Sequence, residues 1–255
     1  MKVITIQQNS QPEHRPADQL RIAGLTRFTT IDFPGCLSAV VFLKGCPWNC
    51  LYCQNPELQC KEFSEEESRV SWEYLEHFLN KRIGLIDGVV FSGGEPLTDP
   101  AIYEAVIAAK KIGYKIGLHT AGMYPQHLKE LLPFLNWVGL DIKAPLSEPD
   151  AYEKVVQKRL QIQKIEESLD AVLESGIEYE VRTTAHPDYL SETQIKSLAQ
   201  HLKEKGVKTY ALQIYREPPM HRDKHPLSRV GSDYPSASLV RELESLFDKF
   251  ILRRP

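Results

Sequence analysis

Ser38-Ala-Val-Val-Phe-Leu43 runs directly into Lys44-Gly45-Cys46-Pro-Trp-Asn-Cys50-Leu-Tyr-Cys53, an apolar run of strand length followed at once by a glycine and three cysteines in eight positions. A run of this length without polar alternation predicts a strand buried on both faces, as in a parallel sheet covered by helices. Five more such runs follow, at residues 88–92, 115–119, 137–142, 179–184 and 209–215. Helical stretches separate them. Ser64 with Glu67 forms a capping box ahead of a Val70, Leu75, Phe78, Leu79 face, and Asp99-Pro100 opens a helix that stops near Gly113. Further helices are expected over 125–135, over 165–175 with Gly176 closing it, and after the Ser191/Gln194 capping box. Strand and helix in alternation predict an α/β fold, a partial barrel of six βα units, with an open doubly wound sheet as the competing layout.

In either layout the reactive groups belong at the carboxyl ends of the strands. The less ordinary residues do fall there. Lys44-Gly45-Cys46 follows the first run, Ser92-Gly93-Gly94-Glu95-Pro96 the second and His119-Thr120 the third. Asp141 and Lys143 follow the fourth, residues 182–184 the fifth, and residues 213–216 the sixth. Asp141 and Lys143 alternate with Leu140 and Ile142, so both point to one face of a buried strand end. They either meet a zwitterionic ligand there or pair with each other or with Arg182. Gly93 and Gly94 remove side chains where a ligand must approach the backbone, and Glu95 can accept from a cationic amino group.

Composition narrows the class. With 255 residues, 42% of them apolar and 25% charged, the chain can bury a full core as one domain. Its 31 Lys and Arg against 34 Asp and Glu give a formal charge of -3, no footprint for gripping nucleic acid or an anionic membrane. No apolar stretch approaches the ~20 residues of a membrane span, and the polar start lacks a signal-peptide core, so a cytoplasmic protein is expected. Residues 1–20 read as a polar extension with at most a short strand at 3–6, and 21–216 as the core domain. Residues 217–255 read as a long loop followed by a helix over 236–250 packed on that core.

Five cysteines are an odd count, and the crowding of Cys46, Cys50 and Cys53 into one loop disfavours paired disulfides. Three thiolates spaced C-x3-C-x2-C can converge on one metal centre. A cubane [4Fe-4S] cluster needs four ligands, so three cysteines would leave one iron open to a small molecule. Two other readings stand beside this: Cys60 completing a four-thiolate zinc or iron-sulfur site, and cysteines that merely pack as small apolar side chains. Cys36 reads as packing and Cys60 as structural.

The stretch Gly24-Leu-Thr-Arg-Phe-Thr-Thr-Ile-Asp-Phe-Pro-Gly35, the loop Gly45-Cys46-x3-Cys50-x-Tyr52-Cys53-x-Asn55-Pro-Glu-Leu58 and Ser92-Gly-Gly-Glu-Pro96 together resemble radical S-adenosylmethionine (SAM) enzymes. Within these they resemble the activating proteins of glycyl radical enzymes, particularly activators of anaerobic ribonucleoside-triphosphate reductase. Leu140-Asp-Ile-Lys-Ala-Pro-Leu146, Tyr179-Glu-Val-Arg-Thr-Thr184 and Leu212-Gln-Ile-Tyr-Arg216 continue the resemblance.

It implies a partial (β/α)6 barrel of the radical SAM type over residues 21–216, with one [4Fe-4S] cluster on Cys46, Cys50 and Cys53. It implies SAM held by Tyr52, Gln54, Asn55, Gly93, Gly94, Glu95, Thr120, Asp141, Lys143, Tyr215 and Arg216. The activity implied is anaerobic: reductive cleavage of SAM and removal of hydrogen from a glycine of a partner enzyme, such as anaerobic ribonucleotide reductase. A flavodoxin- or ferredoxin-type protein would supply the electron. A radical SAM enzyme acting on a small molecule is the alternative, and from another class an iron-sulfur carrier or zinc-stabilised module. Two departures stand out. Related activators commonly carry Asp-Thr-Asn-Gly after the third strand, the acid helping to hold a monovalent cation near SAM, where this chain has His119-Thr120-Ala121-Gly122. The residue after Cys53, usually His in close relatives, is Gln54. A neutral imidazole is a poor ligand for a hard alkali cation.

Overall fold

The computed structural model describes residues 13–65, 67, 69–217, 227 and 229–255. The expected strand at 3–6 and most of the loop after residue 217 lie outside these residues. The strands are β1 (Ile22–Thr29), β2 (Ser38–Leu43), β3 (Gly88–Gly93), β4 (Lys115–Thr120), β5 (Trp137–Asp141), β6 (Glu178–Ala185), β7 (Thr209–Ile214) and β8 (Lys249–Arg253). They form one sheet in the order β1-β2-β3-β4-β5-β6-β7-β8, parallel from β2 onward, with β1 antiparallel at one edge. A strand order that follows chain order has no reversal point. It therefore selects the partial barrel over the doubly wound sheet, which turns back at a switch point.

The six strands expected from sequence are β2 to β7; their buried positions are mostly apolar, except in β6, where Glu180, Arg182 and Thr183 are buried. The two edge strands were not foreseen. β1 is mostly part-exposed and carries Thr and Arg, so no apolar run marks it. β8 begins in the last two residues of the helix expected over 236–250: α7 ends at Leu246, Phe247 adopts an extended backbone, and β8 then pairs with β7. The helices are α1 (Trp72–Lys81), α2 (Ile102–Ile112), α3 (Pro125–Leu131), α4 (Pro149–Val156), α5 (Ile162–Ser175), α6 (Glu192–Glu204) and α7 (Ala237–Leu246).

Local signals explain most helix ends. The Ser191/Gln194 box forms as expected, and Gly113 and Gly176 close α2 and α5 in the left-handed region. At Ser64 the expectation fails. Its N–H donates to Glu67 Oε2 at 2.8 Å, but that carboxylate is held by Lys44 Nζ, and the helix waits for Ser71, whose Oγ accepts from the Tyr74 N–H. No helix among the described residues is long and apolar enough to cross a membrane.

Side-chain alternation divides the sheet. Ala39, Val41, Leu43, Val89 and Phe91 belong to the large core under the helices. The opposite face carries Val40, Val90 and Trp137, which pack with Phe33 and Cys36 in a second, small core. Two residues further along these strands, on that same inner face, come Phe42, Ser92 and Gly139, and beyond Gly139 comes Asp141. The inner face is thus apolar at the amino ends of the strands and polar at their carboxyl ends. That polarity places the site.

Candidate active site

A cavity of about 380 Å³ opens at the carboxyl ends of the strands. Cys46, Cys50, Tyr52, Cys53, Gln54 and Asn55 reach it from the loop after β2, Gly93, Gly94 and Glu95 from the end of β3, and Thr120 from β4. Asp141 and Lys143 line it from β5 and Arg216 from beyond β7. Of the site residues expected from sequence, Tyr215 alone is missing from this lining. The chain leaves the pleat after Ile214: the Tyr215 N–H donates to the Ala185 carbonyl, and its ring stands edge-on to His186, facing a neighbouring cavity that Arg216 also borders.

The two sequence motifs lock onto each other through backbone. Gly45 N–H donates to Leu58 O at 2.8 Å, Gly94 N–H to Leu43 O at 2.8 Å, and Glu95 N–H to Gly45 O at 2.9 Å. A Cβ at Gly94 would lie 2.4 Å from Gly45 O, and one at Gly93, whose φ is +110°, only 2.3 Å from Leu43 N. These glycines line the cavity, but what crowds them is the protein's own chain. Their lack of a side chain lets the Gly-Gly-Glu turn close on β2 and the cysteine loop, a different reason from the ligand approach inferred from sequence.

That turn fixes Glu95. The carboxylate is buried, and Oε1 accepts from Thr120 Oγ1 at 2.7 Å and from the Leu97 N–H at 3.2 Å, while Oε2 accepts from the Ala121 N–H at 2.8 Å. A carboxylate offers about four lone-pair positions. Three are filled, leaving one on Oε2. Burial raises the Glu95 pKa, opposed by these three donors.

Across the cavity the second carboxylate is held by charge. Arg182 Nε reaches Asp141 Oδ1 at 2.7 Å and Lys143 Nζ lies 3.6 Å from Oδ2. The pairing weighed from sequence therefore exists, and both Asp141 and Lys143 also line the cavity. Burial works to raise the Asp141 pKa, yet the Arg182 and Lys143 charges outweigh it and leave it lowered. Gly139 makes room for this pair, since a Cβ there would meet the Arg182 guanidinium at 2.8 Å.

His119 sits between these groups. Its Nε2 is 3.0 Å from the Asp32 carbonyl oxygen, which can only accept, so Nε2 carries the proton and Nδ1 accepts from Ser92 Oγ at 3.1 Å. Burial, reinforced by the Arg182 charge, lowers its pKa to about 3. The imidazole is neutral and both nitrogens are engaged.

Sequence reasoning gave no site role to Trp48, Gln59, Asp32 or, beyond its place in the strand-end motif, Ser92, all of which line the cavity. Ser92 was legible as an inner-face polar residue at a strand's carboxyl end. Gln59 and Asp32 arrive through loops with no periodic signal. Cys36 packs in the small inner core, and exposed Cys60 lies outside the cavity, its thiol 3.1 Å from Glu62 Oε2.

A profile of the radical SAM superfamily matches residues 40–192, more than half of the chain. The chain belongs to the radical SAM superfamily. It is an enzyme whose cofactors are those of the superfamily, a [4Fe-4S] cluster and SAM. One relative is a protein of Methanocaldococcus jannaschii whose name assigns it provisionally to glycyl-radical enzyme activation, 29% identical over 90% of this chain and 92% of its own length. Another, the pyruvate formate-lyase-activating enzyme of Clostridium pasteurianum, is 29% identical over 72% of this chain and 76% of its own. Among solved structures, Streptococcus suis SuiB bound to S-adenosylmethionine shares the fold with a TM-score of 0.63 at 13% identity, over 82% of this chain. The chain spans about half of SuiB, 48% of its length.

The residues present fit a cluster. Burial raises all three cavity thiols, Cys46 up to about 12, while hydrogen bonds from the Trp48 N–H to Cys46, and from the Asn55 N–H and the Gln59 side chain to Cys53, favour thiolate. Sulfurs already supplied with N–H donors in a secluded pocket suit a metal centre that removes their protons. Among the described residues no three His, Cys, Asp or Glu close on a single ion.

Proposed function

We propose that this radical SAM enzyme is an activase: it cleaves SAM reductively and takes a hydrogen atom from a backbone glycine of a glycyl radical enzyme, anaerobic ribonucleotide reductase being the partner the motifs favour. The observation that carries this reading is the one cavity joining three cysteines to Glu95, Asp141 and Lys143, in a chain that matches, over most of their length, relatives named for activation of a glycyl-radical enzyme and of pyruvate formate-lyase. The cluster, with SAM on its open iron, would supply one-electron cleavage of a carbon-sulfur bond and, with it, hydrogen abstraction.

The chain's own residues would do the rest. Cys46, Cys50 and Cys53 would hold three irons. The remaining lone pair of Glu95 Oε2 would accept from the SAM ammonium, in the direction its three donors have fixed. Lys143 would face the SAM carboxylate, its charge shared with Asp141. Tyr52 and Asn55 would line the adenosyl side, Thr120 would hold Glu95 in place, and Gln54, whose Nε2 donates to Arg216 O at 2.7 Å, ties the cysteine loop to the segment after β7. That clasp and buried Trp48 limit water, which a reactive carbon radical requires. A glycine Cα, without a side chain, can approach the adenosyl 5′ carbon closely. A cytoplasmic, anaerobic setting with a flavodoxin- or ferredoxin-type electron donor belongs to the same reading.

The test is anaerobic reconstitution followed by reduction with SAM and candidate partners. Expected are about four irons per chain, retained in Cys60→Ser and lost in Cys50→Ser. Formation of 5′-deoxyadenosine should accompany a doublet paramagnetic signal on the reductase. A doublet on a pyruvate formate-lyase-type enzyme alone would move the partner. Silence of every glycyl radical enzyme, with hydrogen label passing from a metabolite into 5′-deoxyadenosine, would sink the activase reading.

A further inference from the structure

A second cavity, of about 490 Å³, borders the cysteine loop at Pro47 and Trp48. Its apolar floor includes Pro47, Trp48, Met123 and Leu160, and its rim carries Lys158, Arg159 and Lys164. No acidic residue is among the described residues lining it, in a chain whose formal charge is -3. The three cations are exposed, and none is paired with a described residue. Unpaired like charges around a concave apolar floor repel one another, a cost that a partner of opposite sign would relieve.

The position says which partner. Asn49 N–H donates to Val156 O and Leu51 N–H to Val155 O, so the cysteine loop rests on the carboxyl end of α4. Gln157, at φ 56°, then turns the chain, and Lys158 and Arg159 follow at once. The basic rim is thus fastened to the cysteine loop by backbone. Among the described residues Trp48 alone lines both this groove and the cofactor cavity. An electron bound for the cluster has to reach the cysteine loop, and Pro47 and Trp48 of that loop line this groove.

We infer that the groove of Pro47, Trp48, Lys158, Arg159 and Lys164 is the docking surface for an acidic one-electron carrier protein of the flavodoxin kind. The inference rests on the radical SAM activase reading. One electron leaves an anionic flavin hydroquinone, which becomes the neutral semiquinone with no proton released, and reduces the cluster from the 2+ to the 1+ state. Electron-transfer encounters are small and steered by charge, which suits a shallow basic groove.

The experiment compares reconstituted wild type with Lys158→Glu/Arg159→Glu/Lys164→Glu, three exposed positions outside the cofactor cavity. The affinity for oxidised acidic flavodoxin is titrated at low and high salt. Wild type should bind and weaken as salt rises, while the triple variant loses about tenfold or more at low salt and most of its salt dependence. With photoreduced deazaflavin, a neutral small reductant, both proteins should cleave SAM at the same rate, showing that the variant is folded and loaded. Equal flavodoxin affinity and salt dependence in both proteins overturns the docking surface while leaving the activase reading intact. A wild type that takes up no cluster, or cleaves no SAM with deazaflavin, overturns both.

Discussion

The two carboxylates of the cofactor cavity are held in opposite ways. Glu95 is fixed by neutral donors on a turn clamped to its neighbours by backbone contacts, whereas Asp141 is fixed by the full charges of Arg182 and Lys143. Hydrogen bonds from backbone and a buried hydroxyl have direction and little sensitivity to salt. Charge pairs tolerate displacement but respond to ionic strength and to the loss of either partner. One corner of the site is therefore set by geometry and the other by electrostatics.

Backbone substitution should separate them most. Gly93→Ala places a Cβ against Leu43 backbone in a left-handed conformation. Overpacking of about 1–3 kcal/mol joins a conformational cost of roughly 1 kcal/mol, and neither can relax by moving a side chain. Gly139→Ala meets the Arg182 guanidinium and the Trp137 ring, both side chains, and is expected to cost less, about 1–2 kcal/mol. Denaturant unfolding of the two variants checks the order. Equal losses would mean that the Gly-Gly-Glu turn is no more rigid than the Arg182 corner.

Side-chain amides should separate them next. In Glu95→Gln the new NH2 must face either the Ala121 N–H or the Leu97 N–H, neither of which can accept. The buried clash and the lost ammonium partner should weaken SAM binding about ten- to a hundredfold, equally at low and high salt. Asp141→Asn leaves Arg182 and Lys143 uncompensated and is expected to cost stability of about 1–2 kcal/mol, discounted because Asp141 is partly exposed. That loss should change with added salt. A Glu95→Gln deficit that varies with salt as strongly would erase the distinction.

Much of this contrast was open to sequence reading, and the reason it stopped where it did is physical. Strands β2, β3, β5 and β7 write mainly apolar runs because both faces are buried, while β6 buries Glu180 and Arg182 in ion pairs, and the parallel order puts the following residues at one end. Glu95, Asp141 and Lys143 were legible for that reason. β1 and β8 are edge strands, where burial is too weak to impose a pattern. The donors that fix Glu95 were not legible as a set: Thr120 and Ala121 lie 25 and 26 residues away, and nothing local marks their direction. Helix α4 carried a signal that was passed over, Pro149 at its first turn with Tyr152, Val155 and Val156 spaced for one buried face. The box at Ser64 showed the reverse case, a local motif whose acid serves a distant lysine instead.

Acid titration distinguishes the carboxylates through opposite shifts. The Glu95 pKa is raised from 4.5 by burial, so the folded protein takes up this proton at higher pH than the unfolded chain does. Its ionised form costs stability at neutral pH, and that cost is relieved as pH falls through the raised value. Protonation removes the acceptor for the SAM ammonium, so SAM affinity should decline on the acid side with a midpoint above 4.5. The Asp141 pKa lies below 3.8 because the Arg182 and Lys143 charges overcome burial. Its contribution to stability is complete above the unfolded value and is lost only as pH falls through the lower, folded one. SAM titrations across pH should therefore keep their midpoint in Asp141→Asn. A midpoint at or below 4.5 in wild type would assign the acid limb to another group.

The smallest expected effect concerns alkali cations, and it asks whether the electrostatic corner is complete without one. Asp141 already carries two protein cations, and the residue that would supply a second acid is His119, whose single lone pair accepts from Ser92 and whose ring stays neutral. Each oxygen of the Asp141 carboxylate thus already faces a protein cation, which weakens the need for a hard ion there. Exchanging potassium for tetramethylammonium at constant ionic strength should change the SAM dissociation constant by less than about twofold, within what screening alone produces. His119→Asp puts a second carboxylate beside Asp141, where like charges raise each other's pKa and a cation becomes the cheapest relief. That variant should bind SAM several-fold better in potassium than in tetramethylammonium. Potassium dependence already present in the wild type would mean that Arg182 leaves Asp141 when SAM binds, and that the corner held by charge is held only in the free enzyme.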